Sequence, residues 1–164
     1  MTTADIAKPL TRLFSELVDG IAERKGGYVL NTGDVGLLAS LEKLSAAEAS
    51  DSSNGGATIA AHAQHLRYGL ALMNRWIAEG GNPFADARWD EAWKLSDVDH
   101  AAWSEIRKGL RDETQQWHQH LGTTREVDPV AATGLVSSIV HFAYHMGAIR
   151  QISKTARGPR EGTF

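Results

Sequence analysis

Apolar residues recur at three- and four-residue spacing over long stretches of the chain, the period of an amphipathic helix rather than of a strand. Leu10, Leu13, Phe14, Leu17, Val18 and Ile21 mark a first helix over about Asp5–Lys25, stopped by Gly26-Gly27. Leu37, Leu38, Leu41 and Leu44 mark a short extra helix that dissolves into the polar cluster Ser50–Gly56. A second long helix is expected over Thr58–Glu79, where Ile59, Leu66, Leu70, Met73 and Ile77 form one broad face before Gly80-Gly81. The connection after it holds Pro83, Phe84, Trp89 and Trp93; large apolar residues in a connection pack on the body or cover something. A third long helix reads over Val98–Leu121, with Asp97 or Asp99 as N-cap and Gly122 as its stop. A fourth reads over Val130–Thr155 after Pro129. Helices of this length are about 30–38 Å long. The expected fold is therefore all-α, a four-helix bundle formed by one domain over residues 1–164, with a flexible tail from about residue 156.

Composition narrows the function classes. The chain has 164 residues, 42% of them hydrophobic, and 17 Lys plus Arg against 20 Asp plus Glu. That balance is globular and lacks the basic excess of a nucleic-acid binder. No apolar run approaches the roughly 18 residues of a membrane span. Met1–Leu10 shows no basic region followed by an apolar core, so a cytoplasmic location is expected. Cysteine is absent, which excludes thiolate ligands and a protein thiol nucleophile.

Seven histidines remain as candidate chemistry. His141 and His145 stand four residues apart in the fourth helix, a step of about 400° that places both imidazoles on one face. Such a pair can reach one metal ion at about 2.0–2.1 Å. Ser138, Ala148 and Ile152 share that face, so it points into the protein. The second helix offers His62 near the centre of its apolar arc and His65 near one edge; periodicity leans towards His62 and leaves both open. Phe142 stands where the H-E-x-x-H motif carries its glutamate, so peptidase chemistry is not expected. His118 and His120 point to different faces and His100 to solvent. Tyr68 and Tyr144 read as packing residues. The basic tail Lys154–Arg160 reads as solvated.

The segments Thr58-Ile59-Ala60-Ala61-His62-Ala63-Gln64-His65-Leu66 and His141-Phe142-Ala143-Tyr144-His145-Met146-Gly147-Ala148-Ile149-Arg150-Gln151 resemble the DinB-like (YfiT-like) superfamily. Arg75-Trp76 before Gly80-Gly81 and the Trp89/Trp93 connection fall in the same order. The resemblance implies a metal ion held by one histidine of the second helix and the pair of the last, and its position selects His65, giving His65, His141 and His145 as ligands. It implies a metal-dependent enzyme of the thiol S-transferase, isomerase or hydrolase type acting on a small molecule. Zinc is the favoured ion and nickel the alternative, with a low-molecular-weight thiol as cofactor and a homodimer as the assembly. Trp89, Trp93 and Phe84, too many for one core, also point to a dimer. The rival reading is a non-catalytic metal-binding stress or scaffold protein.

Overall fold

The computed structural model describes residues 2–21 and 26–160. The protein is all-helical. Among the described residues there are seven helices: α1 (Ala7–Asp19), α2 (Gly36–Glu42), α3 (Ala46–Ala49), α4 (Ile59–Glu79), α5 (Trp89–Lys94), α6 (His100–Gly122) and α7 (Pro129–Ile152). The only extended pairing among them is an isolated bridge between Thr2 and Glu126. No helix among the described residues is long and apolar enough to cross a membrane.

Local chemistry explains the starts of the long helices. The Thr58 hydroxyl accepts from Ala61 N at 3.2 Å, and the Asp99 and Asp128 carboxylates accept from Ala102 N and Ala131 N at 2.7 Å each. Each side chain satisfies a first-turn donor that has no partner within the helix. Pro129 takes the first turn of α7, where its missing N–H costs nothing. Asp99, and not Asp97, is thus the cap of α6.

Two helices end before their apolar pattern does. α1 stops at Asp19 because Gly20 turns to φ 82° and Ile21 N donates to Asp34 O at 2.7 Å. Residues 22–25, expected in this helix, lie outside the described residues. The buried Glu16 carboxylate then draws in the next loop, accepting from Tyr28, Val29 and Leu30 N at 2.9, 2.6 and 2.6 Å. α7 stops at Ile152, short of Thr155. Its tail folds back: Ala156 is fully buried, Arg157 Nε donates to Arg150 O at 2.9 Å, and Arg150 pairs with buried Asp34 at 2.7 Å. The tail expected to be solvated is therefore anchored as far as Arg157, and residues 161–164 lie outside the described residues.

α4 packs on α6 and α7, and α1 packs on the same two helices. Phe14 of α1 meets Phe142 of α7 edge-on at 5.3 Å. Trp103 and Trp117 of α6 are almost completely buried; their indole N–H groups donate to Leu44 O at 2.9 Å and to Ser138 Oγ at 3.0 Å. The bond from Trp117 bears directly on the late histidines. It fixes the rotation of α7 at Ser138, three residues before His141 and on the same face.

Gly20 and Gly36 lie back to back where α1 meets α2, both with positive φ. A Cβ on Gly36 would land on the backbone of Val18 and Gly20. Gly36→Ala combines left-handed strain with a backbone clash, so it should cost at least about 3 kcal/mol. The measure is the urea midpoint against wild type, with Gly55→Ala, which meets open space at a similar φ, as a milder comparison.

Candidate metal centre

α4 and α7 bring His65, His141 and His145 together. His141 Nε2 lies 3.1 Å from His65 Nε2 and 3.0 Å from His145 Nε2, and one ligand atom from each ring lies within 4.8 Å of the others. Two nitrogens bound tetrahedrally to one ion at 2.0–2.1 Å stand about 3.3 Å apart. Two of the three separations are therefore close to those of nitrogens sharing one ion, and the group could hold a metal.

Hydrogen bonding alone serves this arrangement poorly. A neutral imidazole nitrogen either carries a hydrogen or offers one in-plane lone pair. His141 Nε2 faces two neighbours, so it must share its one hydrogen or its one lone pair between them, or leave one contact without a proton. A cation held by all three nitrogens would remove the conflict, since each would then spend its lone pair on the ion.

His62 stands behind this group rather than in it. Its Nδ1 lies 2.8 Å from His145 Nδ1, the nitrogen that faces away from the cluster. If His145 turns its Nε2 lone pair to a metal, its Nδ1 carries the hydrogen and donates to His62. Such a rear partner orients a ligating imidazole and raises its basicity. His65 Nδ1, by contrast, is buried without a hydrogen-bond partner. Its ring is held by packing: Trp93 stacks on it at 4.3 Å and 24°, and Trp89 lies at 5.3 Å. Trp93 also meets His62 edge-on at 5.3 Å.

The two tryptophans come from α5, which was not expected as a helix. Their four-residue spacing puts both on one face, and that face covers the histidines. Tyr68 helps hold the cover in place, since its hydroxyl accepts from Arg88 N at 2.8 Å just before α5. Trp89 and Trp93 are thus used within the chain, whereas Phe84, the third residue expected to serve a dimer, is 47% exposed. Tyr144 departs from its expected packing role, being 69% exposed. One position before His145 it is turned about 100° away from that residue, and the two rings meet nearly perpendicular with centroids 5.0 Å apart. His118 bonds Ser15 Oγ at 2.8 Å, His120 lies beside Trp117, and His100 is exposed; none joins the cluster.

The electrostatics favour free lone pairs. Burial, then the neighbouring His141 and His62, pushes His65 down to about 4. Burial, then His141, His65 and His62, pushes His145 down to about 3. Burial lowers His62 and His141 as well. At neutral pH all four rings are uncharged, the state in which imidazole binds a metal. No carboxylate joins this group among the described residues. Compared with known proteins, the chain matches no family model, no curated protein and no solved structure.

The sign of the acid response follows from these shifts. Below the ordinary value of 6.5 the unfolded chain takes up protons at His65 and His145 that the folded chain refuses until about 4 and about 3. Stability of the metal-free protein is level above pH 6.5 and falls as pH drops through that window, by up to about 1.4 kcal/mol per pH unit for each group. Urea titrations from pH 7 to pH 4 should show this slope. A His65→Gln, His145→Gln double variant should show a shallower one.

Proposed function

We propose that this protein is a divalent-metal-dependent enzyme of the DinB-like type, built on a four-helix bundle and acting on a small molecule. The observation that carries the reading is the convergence of three imidazole nitrogens at 3.0 and 3.1 Å from two helices inside the protein. The packing of α1 and α4 each against α6 and α7 supports the bundle. Three protein nitrogens leave a tetrahedral ion one open position, the pattern of catalytic rather than structural sites.

His65, His141 and His145 are the proposed ligands, and His62 the partner that orients His145. Zinc suits a tetrahedral all-nitrogen site, with nickel the alternative. A bound divalent ion would supply Lewis acidity, lowering the pKa of a thiol or water held at the open position. The chain's own part is to keep four imidazoles neutral, to orient them, and to exclude water with Trp89 and Trp93. It has no cysteine, so the sulfur of a thiol-transfer reaction arrives on a small-molecule cofactor. The absence of a carboxylate beside the histidines among the described residues favours the rival, non-catalytic reading, in which the site only holds its ion. Screening bacillithiol, mycothiol and glutathione for transfer to electrophiles separates the two.

Metal content after dialysis tests the ligands. Wild type should retain one equivalent of zinc or nickel. His65→Ala, His141→Ala and His145→Ala should each lose affinity by orders of magnitude. His62→Ala keeps all three ligands and should lose about 10- to 100-fold, while His118→Ala should lose none. Full occupancy in all three ligand variants would overturn the site.

The proposed homodimer rests on another surface than Trp89 and Trp93. Val136, Val140 and Tyr144 on the outer side of α7 are 46%, 62% and 69% exposed. Light scattering should give twice the chain mass for wild type and the single-chain mass for Val140→Glu. A single-chain mass for both would remove the dimer.

A further inference from the structure

Two cavities lie in line between α4 and α7. The first, about 270 Å³, begins at His141 and is lined by Leu66, Gly69, Leu70 and Phe142, with Trp89 and Phe84 above it. The second, about 410 Å³, shares Met73 and Phe84 with the first and continues past Trp76, Ala131 and Gly134. Two glycines thin the helices along this path. A Cβ on Gly69 would stand 3.8 Å from His141 and 3.9 Å from Trp89, and one on Gly134 would stand 3.8 Å from Met73 and Trp76. His141 is also the least buried of the three clustered histidines, so the groove reaches the metal centre at its most open member.

The lining carries a chemical message. Among the described residues, no Asp, Glu, Lys or Arg borders the first cavity. The only one bordering the second is Asp128, whose carboxylate is engaged in capping α7. In the first cavity a charged tail would lose hydration without gaining a partner, since the Ser137 and Ser138 hydroxyls on its wall already donate to Gly134 O and Leu135 O. Hydrocarbon loses nothing and gains apolar contact.

We propose that this groove binds the uncharged aliphatic or aromatic tail of a ligand whose polar head occupies the metal centre beside His141. The inference rests on the metal reading of that centre. From His141 back to Gly134 is one way along the helix of about 10 Å, the reach of roughly eight carbons. The carboxylates of a hydrophilic thiol such as glutathione do not belong in such a groove, so in a thiol-transfer reaction it is the acceptor that lies there.

The test is a series of straight-chain hydroxamates, from two to twelve carbons, titrated into cobalt-loaded full-length protein and followed by the cobalt absorption band. Affinity should rise about 4-fold per methylene up to roughly eight carbons and then level off. The ratio of octanohydroxamate to acetohydroxamate affinity should be on the order of 4,000, and Gly134→Leu, which fills the groove, should cut it at least tenfold. The wild-type series does not depend on any variant folding. A cobalt band with equal affinity along the series would overturn this proposal alone, as would an unchanged ratio in a folded Gly134→Leu. Failure of the wild-type protein to develop a cobalt band would overturn the metal reading, and this one with it.

Discussion

Everything around the site depends on holding four imidazoles uncharged and close together away from water. Neutral rings at hydrogen-bonding range tolerate one another, but an added proton on any one of them would be buried beside three others with no anion to offset it. The structure accepts that constraint and builds for it. It places no carboxylate in the group among the described residues, and burial lowers the proton affinity of all four. The result is a nest of lone pairs, which costs stability in acid and is suited to a cation at neutral pH.

Such a nest works only if α4 and α7 keep their rotation. A turn of either helix by one residue would swing its histidines through about 100°. Two devices prevent it on α7. Trp117 of α6 bonds Ser138 on the histidine face, and Phe14 of α1 closes on Phe142 from the other side. On α4 the lock is aromatic: Trp93 lies flat against His65. Packing therefore sets the histidine geometry, and a metal would find it already formed, with little ordering left to do on binding.

The histidine site was only partly legible. The pair His141/His145 follows from spacing alone, since four residues on a helix return to the same face. The choice between His62 and His65 does not, because both lie on the inward arc of α4. The structure gives each a place: His65 Nε2 turns towards the late pair, and His62 Nδ1 backs onto His145. Their three-residue spacing was the available signal that both serve one site. The W-x-x-x-W spacing of Trp89 and Trp93 likewise signalled a helical face, but a six-residue helix leaves too short a pattern to read. Tyr144 misled because the apolar character of α7 runs all round it, so hydrophobicity does not distinguish its inner from its outer side.

What the sequence by itself determined is the set of long helices and the facing pair of late histidines. These are local matters, decided by side-chain period. Only the tertiary structure decided where α1 and α7 stop, which histidine of α4 faces the cluster, and what covers it. Each of those depends on partners far along the chain: Asp34 O for Ile21, Asp34 for Arg150, Trp93 for His65. A one-dimensional pattern records which residues want to be buried. It does not record against which neighbour, and the chemistry of this site lies in the neighbours.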